Sequence, residues 1–313
     1  MEALDRIIGR YTGSQPGPLI IAFGAMHGNE LAGVRAIDMV FRMLKIEPQQ
    51  NPDFVFHGRM LGIRGNLKAS QLGVRYLQKD LNRQFTPENI QRIRQLQDHE
   101  LTAEDLELKA ILDLVDAEIA DYQPSELFVI DLHTTTADGG IFSIASDAPR
   151  SLQLAKSLHA PVITGMLRGL RGTTLHHFCC DHFPCPTTSV TFEAGQHEDP
   201  LSTRRAIAAL INLLRSVGCV RSEDVENRHD DLLINYSKGL PKVAELIEVH
   251  SVKKEDLFQM EPGFRNFQSV QKGQLLANDK NGPIYAGYDC HILMPLYQHQ
   301  GEDGFFLINV IES

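Results

Sequence analysis

Leu19-Ile20-Ile21-Ala22-Phe23-Gly24-Ala25-Met26-His27-Gly28-Asn29-Glu30 is the stretch on which the fold turns. Its first five residues are an unbroken apolar run closed by a glycine, the signature of a strand buried on both faces of a sheet. Immediately after it, Leu31, Val34, Ile37, Phe41 and Leu44 recur at three- and four-residue spacing, as the stripe of an amphipathic helix would. Two further runs, Leu127-Phe128-Val129-Ile130 and Ser189-Val190-Thr191-Phe192, have the same buried-strand character. Between the first and second runs a helical pattern spans Leu106 to Tyr122, with Glu104 and Asp105 at its acidic start. Asp199 and Pro200 fit the N-cap and first position of a helix that continues to about Val217. Strands alternating with helices predict an α/β fold: a mixed, mainly parallel sheet with helices on both faces.

The texture changes after about Arg221. Short alternating segments follow, punctuated by glycines, with Ile284-Tyr285-Ala286, His291-Ile292-Leu293-Met294 and Phe305 to Val310 reading as strands. The expected organisation is an α/β domain over 1–225 and a small β-rich C-terminal domain over 226–313. No internal repeat or low-complexity segment interrupts either part.

The chain has 313 residues, 42% of them hydrophobic, enough for a substantial core. A net charge of −10 argues against a sequence-blind nucleic-acid binder, and it requires any anion site to carry its own arginines. No apolar run approaches membrane-spanning length, and the first residues lack a secretory pattern. Five cysteines, two of them adjacent at Cys179 and Cys180, make a poor disulfide framework and suit reduced thiols. The expectation is a soluble cytoplasmic protein with no nucleic-acid or membrane partner, self-association being left open.

The chemistry-bearing residues sit at the ends of the buried runs. His27 and Glu30 follow the first, His133 follows the second, and parallel strands present their carboxyl ends on one edge, so the three can converge. Two histidines and one glutamate make a catalytic zinc set with a position left for water. Glu193 ends the third run, where a carboxylate must be paired or working; as a general base it would take a proton from water and pass it to a leaving nitrogen. Taken singly, each also fits a bland role: a loop histidine, a surface His/Glu pair, a salt-bridged glutamate. Asp80-Leu81-Asn82-Arg83 and Arg75 form a dense polar string, and arginine forks suit carboxylates and developing oxyanions. Arg168 and Arg171 are further substrate-binding candidates. The His176-His177-Phe178-Cys179-Cys180-Asp181-His182 segment, with Cys185, lacks paired C-x-x-C spacing and is read as a loop bordering the site rather than a second metal centre. Neither a G-x-S-x-G elbow nor a P-loop is present.

Together, His27-x-x-Glu30, the Arg75 to Arg83 segment, Asp131-Leu132-His133-Thr134-Thr135 and Phe192-Glu193-Ala194-Gly195 resemble the succinylglutamate desuccinylase/aspartoacylase family, relatives of the zinc carboxypeptidases. The resemblance implies one zinc per subunit on His27, Glu30 and His133, with Glu193 as general base. It implies that Arg75 polarises the acyl carbonyl and that Asn82 and Arg83 bind a substrate carboxylate. The implied reaction is hydrolysis of the amide of a small anionic N-acyl amino acid, acetyl or succinyl on an acidic residue. The sequence departs from aspartoacylases proper, which carry a Tyr and an Arg where Cys179 and Phe183 stand here, and a late Tyr near Phe305 or Phe306; Arg168 or Arg171 would then supply the missing contact. Two alternatives stand beside this expectation: a zinc carboxypeptidase or amidase acting on peptide or cell-wall fragments, and a non-catalytic relative that binds a ligand.

Overall fold

The structure, a computed structural model, describes residues 4–179 and 182–313. The chain begins with β1 (Ile7–Thr12), β2 (Gln15–Gly24), α1 (Ala32–Gln50), β3 (His57–Arg64) and α2 (Leu67–Leu72). It continues through α3 (Pro87–Gln95), α4 (Ala103–Tyr122), β4 (Leu127–Thr135), β5 (Phe142–Ala145), α5 (Pro149–Lys156) and β6 (Val162–Thr164). Two short helices, α6 (Met166–Gly169) and α7 (Thr174–His177), lead to β7 (Thr187–Gln196), α8 (Pro200–Ser216) and α9 (Arg228–Tyr236). The last part is β8 (Val243–Ser251), β9 (Gln259–Met260), β10 (Gln268–Val270), β11 (Leu275–Asp279), β12 (Gly282–Tyr285), β13 (Cys290–Leu293) and β14 (Asp303–Glu312).

The three apolar runs form β2, β4 and β7, which lie side by side and parallel, with β3 parallel on the outer flank of β2. All ten residues of β7 but the last are buried, and every residue of β4 is. The helices cover both sides. α1 and α8 press Ile37, Val40, Phe41, Leu210 and Leu213 against one face, and α4 presses Leu108, Ile111 and Val115 against the other. The cap at Asp199 forms as its sequence predicts, the carboxylate accepting from the Leu201 N–H at 2.9 Å, with Pro200 in the first turn.

The expected predominance of parallel pairing is corrected. The main sheet has eleven strands in the order β1-β3-β2-β4-β7-β5-β6-β8-β14-β13-β10. Five of its pairings are parallel and five antiparallel. The antiparallel half comes from short or half-exposed strands whose runs carry no buried-strand signature, and from the C-terminal segment. That segment does not form a sheet apart: β8 pairs parallel with β6, and β14, β13 and β10 follow outward by antiparallel pairing. Only β12, β11 and β9 form a separate three-stranded sheet.

Candidate active site

The chain leaves β2 through Ala25, whose φ of 55° turns it sharply and carries His27 and Glu30 over the sheet edge. Gly28 is required there, because a Cβ on it would stand 2.3 Å from the Ala69 carbonyl carbon. β4 and β7 run in register so that His133 and Glu193 are direct neighbours. The three strand ends therefore place His27, Glu30 and His133 together, with one potential ligand atom from each lying within 4.8 Å of the others. All three are buried, at 5%, 2% and 3% exposure, which separates them from the many acidic and histidine groups on the surface.

The histidines are held from behind. Nδ1 of His27 and of His133 face the Glu30 carboxylate, at 2.8 and 3.1 Å. The opposite ring nitrogens meet carboxylates of their own, His27 Nε2 with Asp80 at 3.1 Å and His133 Nε2 with Asp131 at 2.9 Å. A carboxylate behind each imidazole fixes its orientation and raises the basicity of the forward nitrogen, the usual support of a metal-binding histidine. The donors thus suit a divalent metal of the zinc type, a cation that would replace the direct Nδ1–carboxylate contacts. Burial opposes ionisation of Glu30, but His27 and His133 hold its carboxyl well below the usual range. For His133 burial is likewise outweighed by Asp131 and Glu30, which raise it well above an ordinary imidazole.

Glu193 is 7% exposed, and its Oε2 is buried without a hydrogen-bond partner. Burial pushes its carboxyl up to about 7, against the opposing pull of His133. Gly195, two residues on, has φ of 101°, and a Cβ there would press within 2.6 Å of the buried Arg205 guanidinium. Arg205 in turn bonds the Ala194 carbonyl at 3.3 Å, ion-pairs with Asp199 and lies 3.5 Å over the Tyr236 ring, fixing the strand end that carries Glu193.

Arg75, Asn82 and Arg83 also reach the pocket. Their segment is anchored by an acid that the sequence marks only as a helix start. Glu104, fully buried, accepts from the backbone N–H groups of Leu77, Gln78 and Lys79 at 2.7, 3.1 and 3.3 Å. Asp80 grips Arg75 at 3.0 Å and accepts from the Asn82 N–H at 2.8 Å. Asn82 Oδ1 accepts from the Thr174 N–H at 2.9 Å, and Arg83 donates to the Asn82 carbonyl at 2.7 Å and ion-pairs with Asp303.

The structure does not bring Arg168 or Arg171 to the pocket, whose lining passes through Leu167 and Leu170 instead. Arg168 pairs with Glu245 and Arg171 with Glu88, and both side chains are largely in solvent, at 61% and 81%. Turning one residue either way on this short segment exchanges an apolar wall for an exposed cation. Phe306 does line the pocket, as one of the two positions expected for the late aromatic, whereas Phe305 is buried against His250. Phe183 stacks on Phe178 within the core, with ring centres 5.4 Å apart. Of the Cys/His segment, Cys180 and Asp181 lie outside the described residues; burial there lowers His177 to about 4. Among the described residues, His27, Glu30 and His133 are the one group fit to hold a metal.

Several residues in or behind the pocket carry no sequence signal strong enough to select them. Asp80 was visible only as part of a polar string, and His197 was one polar residue among several after Gly195. Gln298, Glu302 and Asp303 come from the far end of the chain. Gln298 accepts from Asn29 at 3.2 Å, and Gln300 both accepts from the Arg75 N–H at 3.2 Å and donates to the Tyr76 carbonyl at 3.1 Å. No helix among the described residues is long and apolar enough to cross a membrane.

Residues 16–214 match the model of the succinylglutamate desuccinylase/aspartoacylase catalytic domain. A "Probable aspartoacylase" of Nostoc sp. is 36% identical over 118 residues, a stretch covering 38% of this chain and 35% of that relative. The fold is shared with succinylglutamate desuccinylase from Chromobacterium violaceum, at a TM-score of 0.63 and 18% identity over 99% of this chain and 95% of that one. It is shared too with a product-bound ectoine utilization protein from Ruegeria pomeroyi, at a TM-score of 0.60 and 18% identity over 96% and 87% of the two chains.

Proposed function

The chain belongs to the succinylglutamate desuccinylase/aspartoacylase family, and from that premise we propose that it is a zinc-dependent deacylase that cleaves an acetyl or succinyl group from the nitrogen of an acidic amino acid. One observation carries the proposal: a buried His27, Glu30 and His133 set shares its sheet edge with the buried carboxyl of Glu193, whose Oε2 has no partner. His27, Glu30 and His133 would hold one zinc ion. When bound, the metal supplies Lewis acidity that makes water a nucleophile at neutral pH and polarises the amide.

The remaining chemistry belongs to side chains. Glu193 takes the proton of the attacking water and delivers it to the departing nitrogen, a task suited to a carboxyl poised near neutrality. Arg75, held by Asp80 and Glu30, presents its remaining N–H groups toward the amide oxygen. Arg83 and Asn82 receive a substrate carboxylate, which would take over the place of Asp303 on the Arg83 fork. We assign the chemistry to residues 1–225 and the entrance to 226–313, from which Met294, Leu296, Gln298 and Phe306 border the pocket.

The test is amine release from N-acetyl, N-formyl and N-succinyl derivatives of Asp, Glu and neutral amino acids by zinc-loaded protein. Turnover of an acidic member is expected. Cleavage of peptides with no N-acyl amino acid turned over would move the assignment to a peptide or cell-wall amidase.

A further inference from the structure

His197 follows directly on the end of β7, four residues past Glu193, and borders the same pocket. Its backbone N–H donates to the Thr135 carbonyl at 2.9 Å, which fixes the residue against β4. Its Nδ1 lies 2.7 Å from Thr134 Oγ1, while its Nε2 is buried and has no partner.

That pair of observations favours one tautomer. The Thr134 hydroxyl has one proton to give, and Nδ1 is its one hydrogen-bond partner among the described residues. If Nδ1 carried the ring proton, the hydroxyl proton and the Nε2 lone pair would both be left buried and unmet. With the hydroxyl donating to Nδ1, the ring proton sits on Nε2 and a single N–H is left waiting. Burial keeps this imidazole neutral by lowering its pKa, with Arg75, His27 and His133 acting in the same direction and Glu30 against. The ring lines the same pocket as Arg75, His27, Glu30 and His133.

Arg75 has only part of its fork left for an oxyanion, one N–H on each Nη. Its Nε and Nη2 are engaged by Asp80 at 3.3 and 3.0 Å, and its Nη1 by Glu30 at 3.3 Å. Resting on the deacylase reading above, we propose that His197 is a second catalytic hydrogen-bond donor, its Nε2–H directed at the amide oxygen as negative charge develops on it. Thr134 sets the proton in place. Because the same residue's N–H holds Glu30 at 3.0 Å, the donor and the metal set share one support.

The experiment compares wild type with His197→Phe, His197→Gln and Thr134→Val in the zinc-loaded protein. Three quantities are read: steady-state kinetics on the N-acyl panel, zinc content, and calorimetric affinity for methylphosphonate, a tetrahedral anion without an amino-acid part. Removing one oxyanion donor lowers kcat by about 100-fold in comparable sites. His197→Phe is therefore expected to lose about that much in kcat, with KM within about threefold of wild type and zinc retained. His197→Gln, which can place an N–H near the same point, recovers at least about tenfold of the loss, and Thr134→Val falls between. Methylphosphonate affinity drops in His197→Phe and returns in His197→Gln.

A raised KM with intact kcat, loss of zinc in His197→Phe, or failure of Gln to rescue would each overturn the proposal. If wild type releases no amine from any member while methylphosphonate binding still depends on His197, the substrate assignment fails and the donor stands.

Discussion

At the floor of the pocket, His27, Glu30, His133 and Glu193 come from three neighbouring parallel strand ends and are all but sealed from solvent. At its rim, Met294, Gln298, Glu302 and Asp303 come from a loop and an antiparallel strand near the end of the chain, and Glu302 is exposed. The floor is over-determined: each imidazole has a carboxylate on either side, and β4 cannot slip against β7 without turning His133 away. The rim is tied by a few side-chain bonds, from Gln298, Gln300 and Asp303. Such a division separates two kinds of change, because one rim substitution alters an ion pair without moving His27, Glu30 or His133.

The sharpest way to break this comparison is at the floor. Glu193→Gln removes the proton carrier, and kcat is expected to fall by about 10²–10⁴-fold with zinc content unchanged. A smaller loss would mean that another group moves the proton. Since Glu193 must be ionised to accept, kcat/KM should decline on the acid side. Its burial sets the carboxyl at about 7 in the metal-free chain, and a dication nearby pulls it down, so the acid limb is expected below about 7. A limb on the alkaline side of neutrality would exclude Glu193 as the base.

One layer back, Asp80→Asn weakens the support of His27 and loosens Arg75. Carboxylates behind a ligating histidine are worth about 10–100-fold in metal affinity, and a loss in that range is expected by competition with a chromophoric chelator. Unchanged affinity would show that the floor tolerates a gap behind it.

At the rim the effects shrink. Asp303→Asn frees Arg83, so KM for an acidic substrate should fall by about threefold to tenfold with little change in kcat, and a neutral substrate should not respond. A rise in KM would instead show that Asp303 holds Arg83 in its working position. Arg168→Ala and Arg171→Ala are expected to leave kcat and KM within about twofold, since each contributes one exposed surface pair.

The same division explains what the sequence discloses. Floor residues follow runs with buried-strand character, so Leu19 to Phe23, Leu127 to Ile130 and Ser189 to Phe192 announce both the strands and the side chains at their ends. Asp199 and Pro200 announce α8 for equally local reasons. Rim residues owe their position to β8 and β14, whose pairing joins segments far apart in the chain and leaves no local mark on Gln298 or Asp303. Glu104 shows a third case. An acid at the start of α4 fits the helix dipole, and nothing in its neighbours reveals that it spends its oxygens on three N–H groups of the Leu77–Lys79 loop. Arg168 lies outside the pocket lining while Leu167 lies in it, because spacing alone does not say which side of a four-residue helix meets the cavity.

The continuity of the main sheet has a mechanical consequence. Val162, Ile163 and Thr164 pair with Val243, Ala244 and Glu245, and the Phe142, Ile163 and Met166 side chains share a core with Ala244, Leu293 and Phe306. A rigid-body swing of the C-terminal part away from the catalytic strands would have to tear that ladder and split that core. Access to the pocket therefore rests on the loop from Met294 to Asp303 and its side chains, a hinge far smaller than a domain.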